Sequence, residues 1–469
     1  MRVTRAATLA TAGVLTAALA GCGIPRSDPA IAPLDAVRLG LTGATTPAID
    51  AAWWRAFGDP QLDRIVADAD ADSPTLAAAL ARVQQADAAL SARGAENGPS
   101  VTLDGSGQYA RLSDRYTIPP PYAGSTRFIG QVLANLNWTI DLFGRQRAAI
   151  EGARASRDAA RLDREAARLA LAGAVAQTYV DLARAELAAQ IAKRAIATRE
   201  GSLRLVAVQR RNQLASKIDT TAAETVLAQA RTALLAAQGQ RALAADALAA
   251  LAGRGPDYAA GIGATTLRLD ALQVPAVIPA DLLARRADLA AGQARIAAAA
   301  AGRQVARRAF YPNVNLAAMA GVQAIGIGNI LSLGAVTAGV GPAIHLPLFD
   351  NGRLRAGLSA ATAGLDQATA DYDERVVRAV REAADAVALD GNLAARRRAQ
   401  SAVVRGFAET GRLDGVRVRS GLASRLDLVD NDVRLLDAQL AEANLSADAA
   451  RNRVALVMAL GGGYFEERR

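Results

Sequence analysis

Three carboxylates crowd the end of one short motif. Leu422-Ala423-Ser424-Arg425-Leu426-Asp427 runs on into Leu428-Val429-Asp430-Asn431-Asp432, so Asp427, Asp430 and Asp432 fall close together. If Asp427 and Asp430 open a helix, its dipole favours negative charge there, and they do no more than cap and charge it. Carboxylates this close also repel unless partly protonated or ion-bound, so the same cluster can be a cation-sensitive feature. Residue types alone leave both readings open. Little else among the 469 residues could do chemistry. Cys22 is the only cysteine, which excludes an intramolecular disulfide and a CxxC metal site. His345 is the only histidine, which removes the usual catalytic and zinc-binding sets. No nucleophile–base pair or phosphate loop stands in a supporting context, so neither an enzyme nor a cofactor is expected.

The motif occurs twice. Leu214-Ala215-Ser216-Lys217-Ile218-Asp219 matches Leu422 to Asp427 in residue type at every position, 422 − 214 = 208 residues earlier. Each copy separates a very long polar-and-alanine stretch from a shorter one, so each reads as the tip of a helical hairpin. Ser216, Lys217 and Asp219 form the first tip, Ser424 and Arg425 begin the second. The long stretches, about 145 to 212 and 353 to 420, lack an internal proline and at 1.5 Å per residue could each reach roughly 100 Å. Shorter helices, about 218 to 251 and 426 to 460, return from the tips and stop at Gly253 and Gly461. The duplication extends upstream. Leu76 to Val101 corresponds to Leu289 to Val314 at an offset of 289 − 76 = 213, and the offset changes only where loops are expected.

Between the helices the period changes from helical to twofold. Phe128, Val132, Leu136 and Trp138 share one face of a strand, with Gln131, Asn135, Asn137 and Thr139 on the other. Residues 313 to 325 and 336 to 348 alternate likewise, and 100 to 112 less well, giving two strands per copy, paired as hairpins. From Leu316 to Ile344 there is no charge, and a hydropathy window would read a membrane helix. Gly321, Gly326, Gly328, Gly334, Gly339, Gly341 and Pro342 argue against that, whereas alternation is what a membrane β-strand needs. Four strands cannot close a barrel, and open edges are not tolerated in lipid, so several chains must contribute to one barrel. His345 falls on the small and polar face.

The amino terminus begins with Arg2 and Arg5, then an apolar run from Ala6 to Ala20, then Leu19-Ala20-Gly21-Cys22. That is a secretory signal too short for a membrane span. Leu-Ala-Gly-Cys resembles the bacterial lipobox, which implies cleavage before Cys22 and its acylation. Gly23 in place of Asp implies release to the outer membrane. The formal charge of +9 falls to 52 − 45 = +7 after cleavage. Its arginines alternate with Asp and Glu along helices and no basic cluster is interleaved with aromatics, so no nucleic-acid partner is expected. The expected organisation is a signal peptide (1–21), a lipidated leader (22–59), a first repeat (60–253, with a β-hairpin at about 100–142), a linker (254–278), a second repeat (279–463, with a β-hairpin at about 313–348) and a tail (464–469).

Several short motifs, in order and spacing, resemble the TolC-like outer-membrane efflux factors, in their lipidated OprM/NodT branch. They are Trp53-Trp54…Phe57…Asp59-Pro60, Asp281-Leu282-Leu283…Arg285-Arg286, Phe310-Tyr311-Pro312, Leu348-Phe349…Gly352-Arg353 and Ala459-Leu460-Gly461-Gly462-Gly463. Ala287 departs from the pattern, which has proline after the paired arginines. The resemblance implies a homotrimer with a 12-stranded β-barrel, four strands per chain, continuing into a long periplasmic α-helical barrel. It implies a passive duct in the outer membrane of a Gram-negative bacterium, exporting drugs or other small toxic compounds. The implied partners are a periplasmic adaptor protein and an inner-membrane pump of the resistance-nodulation-division (RND) type. It further implies that Leu426 and Asp430, as a Leu-x-x-x-Asp pair, form closing rings at the periplasmic gate, with Asp427 beside them. The rival is a duct of the same fold in a type I protein secretion system.

Overall fold

The computed structural model describes residues 27–34, 49–115, 117–274, 285–423 and 425–464. Cys22, Asp281, Leu282, Leu283 and Ser424 lie outside them. The elements run α1 (Pro60–Asp72), α2 (Pro74–Ala95), β1 (Ser100–Arg111), β2 (Thr126–Ile140), α3 (Arg145–Arg211), α4 (Lys217–Leu251), a short α5 (Pro256–Ala260), α6 (Ala287–Arg308), β3 (Asn313–Ile325), β4 (Val336–His345), α7 (Arg353–Arg419) and α8 (Arg425–Ala459). In the paired helices the duplication is kept to the residue. α2 and α6 have 22 residues each, α3 and α7 have 67, and α4 and α8 have 35.

The first repeat opens with two helices, α1 and α2, separated at Ser73. Pro74 disfavours a helical conformation in the residue before it, and Ser73 is extended with ψ 124°. The break turns the Asp72 carbonyl toward Gly253, whose φ is +69°, and a Cβ there would lie 2.5 Å from that oxygen. At the repeat offset Pro74 corresponds to Ala287 (287 − 74 = 213), and α6 starts there without a proline. Arg286 fixes that start instead, pairing with Asp288 at 2.8 Å and with Glu382 of α7 at 3.0 Å. Burial works to raise the Asp288 carboxyl, but the hydrogen bonds and charge of Arg286 outweigh it and hold it below the usual carboxylate range.

The chain forms two compact units, Met1–Pro33 with Val83–Ala160 and Gly292–Tyr372, and Leu34–Arg82 with Arg161–Ala291 and Asp373–Arg469. Each takes pieces of both repeats. The first unit holds an antiparallel sheet in the order β1-β2-β3-β4, so the two hairpins join through β2 and β3. Its register aligns the alternation of all four strands. Leu103 pairs with Ala134, Ala134 with Ala320 and Ala320 with Ala338, while Tyr109 pairs with Phe128 and Leu316 with Pro342, all on one apolar face. The opposite face carries Thr102 beside Asn135, Ser106 beside Gln131, Gln131 beside Gln323, Thr139 beside Asn315 and Asn313 beside His345. Side chains there bond to one another, Asn135 donating to Asp104 at 2.9 Å and Thr139 to Asn315 at 2.9 Å. The charge-free stretch is therefore β3, β4 and the turns between them. Among the described residues no helix is long and apolar enough to cross a membrane.

The second unit is cored by Phe57, Leu62, Ile65, Val175, Tyr179 and Leu248 with closely packed alanines. Asp59 caps α1 by accepting from Gln61 N at 3.0 Å. Its other oxygen accepts from Tyr179 Oη at 2.7 Å and Thr266 N at 2.8 Å, which ties α1, α3 and the linker to one buried carboxylate. Burial, then the Asp59 hydrogen bond, pushes the Tyr179 phenol above its usual range. Gly461 ends α8 with φ +107°, and a Cβ would stand 2.0 Å from the Arg285 carbonyl oxygen, so the chain can pass there only as glycine.

Candidate functional site at the hairpin tips

Both tips belong to the second unit and close alike. α3 ends with Gln213 in the left-handed region (φ +62°), and Leu214 N donates back to Gln209 O at 2.8 Å. α7 ends with Gly421 at φ +72°, and Leu422 N donates to Arg417 O at 2.8 Å. Both positions keep the repeat offset (421 − 213 = 208; 417 − 209 = 208). This backward bond satisfies a carbonyl that the helix end would orphan.

Past the turn the first copy builds a reciprocal cap. Ser216 Oγ accepts from Asp219 N at 3.3 Å, while Asp219 Oδ2 accepts from Ser216 N at 2.8 Å. The Ser216 backbone N–H, then its hydroxyl, holds the Asp219 carboxyl below its usual range. Lys217 is exposed, and Leu214 and Ile218 stand 78% and 80% exposed, an apolar tip left open in this chain. Ile218, Ala222 and Val226 share one stripe of α4 and line a shallow groove with Thr221 and Thr225.

In the second copy that stripe reads Leu426, Asp430 and Arg434. Arg425 and Leu426 open α8, although their side chains lie outside the described residues. Asp427 is exposed in the first turn. Asp430 accepts from Arg434 one turn on, at 2.7 Å, with both side chains exposed. Asn431 is buried and donates to Phe407 O of α7 at 2.9 Å. It fits because α7 has Gly411 there; a Cβ would lie 2.7 Å from the amide nitrogen. Asp432 is half-buried, and burial pushes its carboxyl up. Arg434, Asn431 and Gly411 did not stand out in the sequence. The Asp430-to-Arg434 spacing of four is a legible helical-pair signal; the Asn431 contact, made to a backbone carbonyl, leaves none. Among the described residues no group of three or more His, Cys, Asp or Glu side chains could hold a metal ion.

A profile of the outer membrane efflux protein family matches residues 65–254 and 278–462. The chain belongs to that family. Outer membrane protein OprJ of Pseudomonas aeruginosa is 31% identical over 431 residues, 90% of this chain and 88% of OprJ. Toluene efflux pump outer membrane protein TtgC of Pseudomonas putida is 28% identical over 430 residues, 90% of this chain and 87% of TtgC. Among solved structures, the outer membrane protein VceC of Vibrio cholerae superposes with a TM-score of 0.80 at 32% identity, covering 88% of this chain and 98% of VceC. This outer membrane efflux protein has the TolC-like fold, mostly helical with a four-stranded antiparallel sheet in each chain. It is the outer-membrane channel component of an efflux pump, and its family consists of channels rather than enzymes.

Proposed function

We propose that three copies close one 12-stranded barrel in the outer membrane and one helical barrel below it, anchored by acyl chains on Cys22. The duct passes drugs or other small toxic compounds delivered by an inner-membrane RND-type pump through a periplasmic adaptor. The observation that carries this reading is the sheet register. One unbroken apolar face is backed by a polar one, and β1 and β4 each keep an unpaired edge. Unsatisfied strand edges cost several kcal/mol per group in lipid, so β4 of one copy pairs with β1 of the next until the ring closes. Outward-facing Val101, Leu103, Val340 and Ile344 are 67–77% exposed in the single chain and suit acyl chains. The polar face then lines the passage.

The gate lies at the second tip. Leu426 of each copy supplies an apolar ring and Asp430 an acidic one, with Asp427 at the mouth; Ser216, Lys217, Asp219, Ser424 and Arg425 shape the tips that meet the adaptor. Deleting the gene and challenging cells with a panel of drugs, dyes and metals tests the substrate class. Sensitivity to several small compounds is expected. Unchanged tolerance with loss of a secreted protein would overturn it in favour of a protein-secretion duct.

A further inference from the structure

Residues 27–34 run without helix or strand, rigidified by Pro29 and Pro33. An extended segment has no internal partners for its backbone groups, so what satisfies them shows what holds it. In the first compact unit α6 and α7 do so. Arg303, only 15% exposed at its side chain, donates from Nε to the Ser27 carbonyl at 3.1 Å and from Nη2 to the same oxygen, and reaches Asp28 at 3.4 Å. Ser27 Oγ donates to the buried Thr362 hydroxyl at 2.9 Å. One oxygen of Asp366, a turn further along α7, accepts from Ala30 N at 2.9 Å and Ile31 N at 3.1 Å. A largely buried guanidinium and a carboxylate thus grip opposite polarities of one short backbone segment, with bonds of the stronger, charge-assisted kind.

We propose that Arg303, Thr362 and Asp366 are a clamp for the leader, positioning residues that fix where the amino-terminal anchor enters the membrane. This rests on the proposed acylation of Cys22 only for the nature of the anchor. Thr362 lies nine residues into α7 (362 − 353 = 9), about 14 Å from its sheet-proximal start. Arg303 lies five residues from the end of α6 that leads into β3 (308 − 303 = 5). Five peptide units separate Ser27 from Cys22 and span at most about 17 Å. The clamp therefore limits how far the anchor can lie from the strand ends, where the proposed membrane-embedded sheet meets the lipid headgroups. Without it the leader would swing from wherever the next contact holds it.

Hydrogen exchange on the full-length protein, purified from membranes in detergent, tests this. The Ala30 and Ile31 amides are expected to be protected, and Asp366→Ala to speed their exchange about tenfold, the worth of a hydrogen bond. Arg303→Ala, which frees the Ser27 carbonyl, is expected to speed exchange at Ala30 and Ile31 as well, while α7 peptides stay as in the wild type. Should Asp366→Ala also loosen α7, Thr362→Val, which preserves volume, carries the test with the same readout. A wild-type leader exchanging like free chain, or variants that leave it protected, would overturn the clamp. The mass of the amino-terminal peptide separates the two claims: a protected leader on an unacylated Cys22 removes the anchor and keeps the clamp, whereas acylation with an unprotected leader does the reverse.

Discussion

The two hairpin tips share a backbone closure and differ in almost everything attached to it. Gln209 and Arg417 accept the same backward hydrogen bond at the same distance, so the duplicated turn has stayed fixed. Beyond it, the Ile218-Ala222-Val226 stripe of the first copy is apolar, with its cap in Ser216 and Asp219. The second copy puts Asp430 and Arg434 on that stripe and anchors α8 to α7 through Asn431, where the first copy has Ala223 (431 − 223 = 208). Duplication supplies two equivalent ends; the second carries an exposed ion pair and a buried latch between α8 and α7. What this teaches is where to look for motion: at the tip whose position depends on a few replaceable polar contacts.

The largest difference expected is at the latch. Asn431→Ala removes the donor to Phe407 O and should loosen the end of the second hairpin by about 1–2 kcal/mol. Exchange of α8 first-turn amides should rise and single-channel openings should become more frequent. Ala223→Ser, at the matching position of the first hairpin, should change neither. Equal effects at both tips would remove the asymmetry.

A smaller contrast is in acid. The Asp219 carboxyl sits below its ordinary value of about 3.9, so its stabilisation is present above that pH and fades as pH falls through the lowered value. Asp432 is raised by burial, so its contribution is complete below the ordinary value and fades as pH rises through the raised one. Acidification should therefore loosen the start of α4 and tighten α8 against α7. At neutral pH, Asp219→Asn should speed exchange at Thr220 and Thr221, and Asp432→Asn should slow it around Asn431. Movement in the same direction at both tips would refute the opposed titration.

How much of this was visible in the residues follows from how local each signal is. Twofold alternation in 128–142 and 313–325, and the helix stops at Gly253 and Gly461, depend on nearest neighbours and read directly. β1 read less well because Gly105 and Gly107 occupy its apolar-face positions opposite Val132 and Gly130. The break at Ser73-Pro74 is a local signal of the same kind, since proline constrains its predecessor. Pairing of β2 with β3 across the repeats, and the bond between Tyr179 and Asp59 across 120 residues, depend on the folded arrangement and leave no spacing to read. At the tip, the Asp430–Arg434 pair was legible from its spacing of four, whereas the Asn431 bond to the Phe407 carbonyl was not.

That pair gives the smallest stability effect and the sharpest test of the gate. Exposed ion pairs one helical turn apart contribute about 0.3–0.5 kcal/mol, so Arg434→Gln should leave the melting temperature nearly unchanged. Electrostatically it should not be silent. With Arg434 present, a guanidinium at 2.7 Å offsets part of each Asp430 charge in the proposed ring. Removing the arginine leaves the carboxylates to face one another, and like charges at close range are relieved by bound cations. Block of single-channel current by divalent cations should therefore strengthen in Arg434→Gln, vanish in Asp430→Ala, and vanish equally in the double variant. If the three variants conduct and respond to cations as the wild type does, Asp430 lies away from the constriction, and the second tip differs from the first only in how its helix is charged.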